Sequence, residues 1–102
     1  MTGDGPQSAR AVVATDAAAR YAKQLLAHLG RKTAVEPLDG APDGGRLRFA
    51  YGTATVRPGP DGLELIAEAA DAEALARVQD VVGRHLERFG ARRELTVEWG
   101  RG

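Results

Sequence analysis

An amphipathic helix predicted over residues 71–90 is the sequence feature that most constrains the fold. Asp71 suits the N-cap, and Gly90 suits the position that ends a helix. Apolar residues recur between them every three or four positions, at Leu75, Val78, Val82, Leu86 and Phe89. Such a helix is stable in a protein mainly because its apolar face is buried. The sequence therefore predicts a second layer of structure against which this face packs.

A second helix is predicted near the N-terminus, from residue 15 to Gly30. Thr15 and Asp16 supply a candidate N-cap and a first-turn negative charge. The apolar stripe of this helix consists of Ala18, Ala22, Leu25 and Leu29. Residues 10–14 are rich in β-branched side chains and predict a first strand ahead of it.

Between the two helices the hydrophobic period changes to two residues, which indicates strands. Apolar and polar residues alternate within residues 46–51, 53–57 and 63–68. Residues 39–45 and 58–62 are rich in the Gly, Pro and Asp that form turns. The pattern predicts an antiparallel meander with one buried face and one face in water.

Two more strands are predicted at the ends of this pattern. Pro37 limits residues 33–38 to an edge strand or an irregular one, because proline lacks the N–H of a central ladder. In residues 94–99, Leu95, Val97 and Trp99 point to one side. The complete order is β-α-β-β-β-β-α-β.

This order predicts an α+β fold, a two-layer sandwich with both helices packed on one face of an antiparallel sheet. A chain of 102 residues supports a single core. We expect one domain over residues 9–100 and a disordered tail over residues 1–8, which are polar and rich in Gly.

Composition argues against several functional classes. Fourteen basic residues balance fourteen acidic ones, so no overall field favours nucleic acid or an anionic membrane. The sequence shows neither a long apolar run nor a signal-type N-terminus, and we expect a cytoplasmic protein. With no cysteine, the chain has no thiolate nucleophile, disulfide or cysteine-based metal site.

The sequence also lacks the patterns of common catalytic and cofactor sites. Ser8 is the only serine and lies in the predicted tail, which leaves a serine–histidine triad without a credible nucleophile. No phosphate-binding glycine motif is present. We therefore expect a non-enzymatic protein with no cofactor.

Residues 46–51 interleave arginines with aromatic residues, as RNA-binding sheets do. The first strand carries no stacking aromatic residue, however, and Phe49 shares its predicted face with Leu47. We therefore expect Leu47, Phe49, Val56 and Leu65 to face the helices. Burial of Arg46 and Arg48, with Phe49 in solvent, would instead favour RNA binding.

Two segments resemble a known family. Residues 20–32 read RYAKQLLAHLGRK, and residues 75–99 contain His85-Leu86, Arg88-Phe89 and the closing Trp99. In these segments the chain resembles the bacterial domain-of-unknown-function family 2218. The resemblance implies a small bacterial domain associated with siderophore-interacting flavin reductases, and hence a link to iron acquisition. Family members usually carry a cysteine near position 26, where this chain has Leu26.

His28 and His85 are the residues with the most specific chemistry. Each lies near the end of its helix, on or beside the apolar stripe. If both helices pack on one sheet, the two imidazoles can reach a common pocket. Three interpretations stay open: rings that bond a nearby carbonyl, contacts to an anionic ligand, or ligands of a metal. Arg84, Arg88, Arg92, Arg93 and Lys32 form either a basic patch or solvated charges at helix ends.

Trp99 is predicted to anchor the core or an interface, with ligand stacking as the alternative. If the ring is a core residue, Trp99→Ala is expected to cost about 3–5 kcal/mol of stability.

The sequence thus predicts a non-enzymatic accessory or binding domain, linked through the resemblance to iron–siderophore handling. The candidate ligand-binding residues are His28, Lys32, His85, Arg88, Arg92 and Trp99, and no metal site is assigned. Expected partners are a small anionic ligand, and another protein or a second copy of the chain, but neither nucleic acid nor membrane. The alternatives are a small enzyme or metal-binding protein that uses His28 and His85, and a structural dimerisation module.

Overall fold

The computed structural model describes residues 6–90 and 95–101. Its elements are β1 (Gln7–Val13), α1 (Ala18–Leu29), β2 (Ala34–Leu38), β3 (Ala41–Phe49), β4 (Gly52–Gly59), β5 (Gly62–Ala69), α2 (Ala72–Phe89) and β6 (Gly100–Arg101). This is the predicted β-α-β-β-β-β-α-β order.

The strands form one antiparallel sheet in the order β2-β3-β4-β5-β1-β6. The meander β2 to β5 turns through tight hairpins, and Gly62 at the β4–β5 turn adopts a φ of 143°, which favours glycine. β1 then pairs with β5 over its full length. Both helices contact β4 and β5, while α1 also packs on β3 and α2 on β1, so the predicted α+β two-layer architecture is confirmed. β2 is an edge strand with a register shift around Pro37, as its proline predicted.

The core lies between the sheet and the helices. Every second side chain along β3, β4 and β5 points into the core from the sheet. The apolar faces of α1 and α2 cover these side chains from the other layer. The fully buried large residues are Leu25, Leu47, Leu63, Leu65, Leu86, Val56, Val78 and Val82. Phe49 packs against this core while Arg46 and Arg48 are exposed. The predicted face assignment is therefore confirmed, and the arrangement that favoured RNA binding is absent from these strands.

The two helices begin in different ways. Asp71 Oδ1 accepts a hydrogen bond of 2.7 Å from the Ala74 N–H, which confirms the predicted cap of α2. The predicted Thr15–Asp16 start of α1 is wrong, because this helix begins at Ala18 without a side-chain cap. Thr15 Oγ1 accepts from the Ala17 N–H at 3.1 Å and forms a local turn before the helix.

The ends of the domain differ from the sequence prediction. β1 begins at Gln7, because Gln7 and Ser8 pair with Ala69 and Glu68. These two residues therefore belong to the sheet rather than to a tail over residues 1–8. Pro6 is exposed ahead of the strand, and residues 1–5 of that predicted tail lie outside the described residues.

The last strand is also shifted relative to the prediction for residues 94–99. β6 covers only Gly100–Arg101 and pairs with Ala9 and Arg10. Residues 95–99 instead run along α2, where the Val97 N–H donates to Glu87 Oε2 at 2.9 Å. The alternation of apolar residues therefore reflects packing against the core, as predicted, but this segment is not a ladder strand.

The face of the sheet away from the helices carries ion pairs between neighbouring strands. Glu64 pairs with Arg10 at 2.6 Å and with Arg57 at 3.7 Å, and Arg48 pairs with Glu36 at 3.1 Å. These exposed pairs keep the outer face compatible with water, and each contributes little to stability. No helix in the described part of the chain combines the length and apolarity needed to cross a membrane.

Two valines allow a matched test of the face assignment. Val56 on β4 is fully buried, whereas Val12 on β1 is 49% exposed on the outer face. We expect Val56→Ala to lower the free energy of unfolding by about 2–3 kcal/mol, since it leaves a cavity in the core. Val12→Ala should cost less than about 1 kcal/mol. Urea denaturation measures both values, and equal costs would contradict the assigned faces.

Candidate functional site

The C-terminal turns of α1 and α2 bring the two histidines together. The ring centroids of His28 and His85 are 5.1 Å apart, with 44° between the ring planes. His28 is exposed and His85 is part-buried. The common location that their helix positions predicted is therefore present in the structure.

Each imidazole is fixed in a different way. His85 Nδ1 lies 2.6 Å from the carbonyl oxygen of Val81, one turn earlier in α2. Because a carbonyl only accepts, Nδ1 carries the proton, and Nε2 is the nitrogen left for other contacts. The His28 ring instead packs edge-on against Phe89, with the centroids 5.4 Å apart. The carbonyl-bonded interpretation of the sequence is thus correct for His85.

A groove with a volume of about 460 Å³ lies beside these rings. Its lining comes from both helices, from the segment after α1 and from the turn between β3 and β4. The lining residues are His28, Leu29, Arg31, Lys32, Thr33, Phe49, Tyr51, Val81 and His85. Among these residues there is no carboxylate, and every titratable group except the Tyr51 phenol is a base. The groove therefore joins an apolar surface to a positively charged one.

The apolar side of the groove is built on two aromatic rings. Phe49 ends β3 and Tyr51 precedes β4, so both rings belong to the turn region beneath the helix ends. Their planes lie within 12° of parallel, with centroids 5.3 Å apart. The guanidinium carbon of Arg77 on α2 lies 4.2 Å from the Tyr51 ring centroid. This stack of a cation and two rings holds the aromatic surface in place.

Only part of the predicted set lines the groove. His28, Lys32 and His85 do so. Arg88 is exposed in the last turn of α2 and is not among the lining residues, and Arg92, like Arg93, lies outside the described part of the chain.

Trp99 does not share the histidine site, which corrects the predicted grouping. Its Nε1 lies 3.4 Å from the position that a Cβ on Gly83 would occupy. Gly83 and His85 are two residues apart on a helix and therefore point to nearly opposite sides. The Trp99 ring is part-buried against the core, on the flank of α2 away from the groove.

Comparison with known proteins identifies the family. DUF2218, described as an uncharacterized protein conserved in bacteria, matches residues 10–100. The chain belongs to DUF2218. It is similar to the NMR structure of PA4090 from Pseudomonas aeruginosa, with 31% sequence identity and a TM-score of 0.70. That alignment covers 92% of this chain and 94% of the PA4090 chain. No curated protein matches the chain.

Several groove residues of this DUF2218 domain were not predicted as site residues. The sequence pattern predicts Phe49 as a core residue and Tyr51 as part of an alternating strand, and it marks neither as a site residue. Arg31 and Thr33 adjoin Lys32 in sequence, and this was the one available signal for them. Gly83 gave a further signal, because a glycine inside a helical pattern often marks a close approach by another segment. Here the segment that approaches is residues 97–99.

His28 and His85 are the candidate metal ligands among the described residues that line the groove. No cluster of three or more potential metal ligands occurs within residues 6–90 and 95–101. Two imidazoles alone leave a four-coordinate transition metal with half of its coordination positions unfilled.

The hydrogen bond of His85 predicts a specific tautomer. In the neutral ring, the proton should reside on Nδ1, because that atom donates to Val81. The exposed ring of His28 should show the mixture typical of a solvated imidazole. Long-range ¹H–¹⁵N correlation spectra at a pH of about 8 distinguish the two nitrogens. A predominantly Nε2-protonated His85 would contradict the assigned bond.

The location of Trp99 predicts a moderate and local effect of its removal. Because the ring is part-buried, Trp99→Ala should cost about 1–3 kcal/mol, less than a fully buried tryptophan does. Urea denaturation measures the loss. Amide signals near Gly83 should shift, whereas the ring signals of His28 and His85 should not. Large shifts of the histidine signals would place Trp99 in the groove after all.

Proposed function

We propose that this DUF2218 domain is a non-enzymatic accessory domain that binds a small anionic ligand in the groove beside His28 and His85. The observation that carries this proposal is the charge of the lining. Arg31 and Lys32 join the two imidazoles around an apolar surface, and no lining residue is acidic. The groove volume of about 460 Å³ falls in the range typical of small-molecule sites.

The distribution of polar groups supports binding of a ligand with two distinct ends. Residues 28–33 and His85 supply the basic groups and the Thr33 hydroxyl, while Phe49, Tyr51 and Val81 supply the apolar surface. A ligand with an anionic group and an apolar body satisfies both. A simple inorganic anion leaves the apolar surface unused.

Among the described residues that line the groove, no hydroxyl is hydrogen-bonded to a base that would activate it, and this supports a binding role over catalysis. Ser8, the only serine, lies on β1 opposite Glu68, on the outer face of the sheet. The polar groups that line the groove are imidazoles, cations, one threonine hydroxyl and the Tyr51 phenol. Thr33 lies beside bases but has no hydrogen-bonded partner among the described residues that would activate it.

The link to iron–siderophore handling is the cellular setting that we propose for this site. Many siderophores carry carboxylate, catecholate or hydroxamate groups, and their iron complexes are often anionic. The basic lining suits such a ligand, and a cytoplasmic domain acting beside a flavin reductase would encounter it. In this setting, the protein partner is the reductase and the ligand is the siderophore or its iron complex.

Metal binding by His28 and His85 is the second candidate function. The 5.1 Å separation of the ring centroids favours it, since two imidazoles at this distance can approach one ion. Dimerisation has weaker support. Ile66 on the outer face is part-buried, and Val12 is the large apolar residue exposed there among those described. An interface between copies generally needs a larger apolar patch.

A pair of matched ligands tests the charge requirement. Cyclohexanecarboxylate and cyclohexanecarboxamide have the same apolar body, but only the first is an anion at pH 7. In NMR titrations, we expect cyclohexanecarboxylate to shift the backbone amide signals of His28, Lys32 and His85 and the ring signals of the two histidines. Cyclohexanecarboxamide should bind at least about fivefold more weakly, because it lacks the charge. Equal binding of both compounds, or binding of neither, would contradict the proposed function.

Two lysines on or just after α1 provide matched variants for the same titration. Lys32 lines the groove, whereas Lys23 lines a separate depression with Leu26 and Pro42. Lys32→Gln should weaken carboxylate binding by about two- to fivefold, since an exposed ion pair is worth little. Lys23→Gln should leave binding unchanged. A similar loss in both variants would indicate a general charge effect and not a site.

The metal alternative is tested with Zn²⁺ on the same protein. We expect no stoichiometric zinc in purified protein by elemental analysis and only weak binding by calorimetry. Tight Zn²⁺ binding that is lost in both His28→Ala and His85→Ala would replace the anion proposal with a metal site.

A further inference from the structure

Aromatic side chains are concentrated in the groove. The chain has two phenylalanines, two tyrosines, one tryptophan and two histidines. Four of these seven rings line the groove, namely His28, Phe49, Tyr51 and His85. Tyr21 is buried in the core, and Trp99 lies on the other flank of α2. The concentration is notable because aliphatic side chains dominate the rest of the core.

The geometry of these rings leaves aromatic surface accessible. Phe49 and Tyr51 are part-buried, and their nearly parallel planes form one offset stack. Arg77 lies against the Tyr51 ring and extends this stack on the α2 side. Across the groove, the exposed His28 ring and the anchored His85 ring supply two more flat surfaces. A planar group in this space meets rings from the sheet and from both helices.

Flat rings interact with each other beyond simple burial of apolar area. Offset-stacked and edge-to-face pairs of aromatic rings gain additional energy that an aliphatic ring of similar size does not. The groove therefore favours a planar aromatic body over a puckered aliphatic one.

We propose that the ligand of this groove is an aromatic carboxylate, with its planar ring against Phe49 and Tyr51 and its carboxylate toward Arg31 and Lys32. This inference rests on the proposed function and adds the chemical class of the ligand. It follows from the division of the lining into a basic segment, residues 28–33, and an aromatic segment from the β3–β4 turn.

Benzoate and cyclohexanecarboxylate test this inference, because they share the carboxylate and the six-membered ring but differ in aromaticity. In NMR titrations of the full chain, we expect benzoate to bind about two- to tenfold more tightly. Intermolecular NOEs should connect the benzoate ring protons to Phe49 and Tyr51. Equal affinities of the two compounds, or NOEs only to other surfaces, would overturn the inference.

Leucine substitutions locate the source of the preference. Phe49→Leu removes the ring but retains apolar bulk, and it should abolish the preference for benzoate while cyclohexanecarboxylate still binds. Tyr51→Leu is tested in parallel, and because both rings pack against the core, amide spectra verify that both variants fold. Trp99→Leu is the matched control on the opposite flank and should keep the preference. A preference unchanged in both folded groove variants would contradict the role of these rings.

The outcomes separate this inference from the proposal on which it rests. If both carboxylates bind equally and the uncharged amide binds more weakly, the anion site stands and the aromatic class is wrong. If neither carboxylate binds, the proposed function itself fails. Tighter binding of benzoate, with contacts to Phe49 and Tyr51, supports both.

Discussion

Burial of a single face of the sheet is the constraint on which the rest of the structure depends. The strands have one apolar side, and two amphipathic helices must share it. The small residues Ala54 and Ala67 on the sheet, and Ala22 on α1, are fully or nearly fully buried and let the layers approach closely. Because the helices lie on the same face, their final turns meet, and the histidine groove forms where they do.

The groove is thus a product of packing at the periphery of the core. Its apolar side consists of rings that continue the core outward to solvent, and its basic side begins where α1 ends. Leu29 O accepts a hydrogen bond from the Lys32 N–H at 3.4 Å, which turns the chain sharply after the helix. The end of one helix, the end of one strand and one face of the other helix therefore meet at a single surface. The fold gives this surface both charge and apolar area without any insertion.

Periodicity and turn chemistry allowed most of the fold to be predicted, and the failures have physical causes. The α2 cap was predictable because Asp71 bonds only to a local amide. The start of α1 was not predictable, because a threonine hydroxyl can either cap a helix or close a local turn. Thr15 closes a turn by accepting a hydrogen bond from the Ala17 N–H. For residues 95–99, alternation predicted correctly which side chains pack against the core, yet alternation cannot distinguish pairing with a strand from packing along a helix. The proximity of His28 and His85 was predictable because both lie on or beside the apolar faces of their helices. The contribution of Phe49 and Tyr51 to the groove was not, because it depends on which turn of the sheet lies beneath the helix ends.

The position of α2 between two surfaces has a consequence for how such domains diverge. One flank of this helix carries His85 and Val81, and the other carries Gly83 and Glu87, which receive the chain after residue 95. Substitutions on the first flank can alter ligand binding in the groove without weakening the packing of residues 95–99. Substitutions on the second flank can accommodate a different sequence in residues 95–99 without altering the groove. The helix thereby separates selection for ligand binding from selection for the packing of residues 95–99, so that the two are free to evolve at different rates.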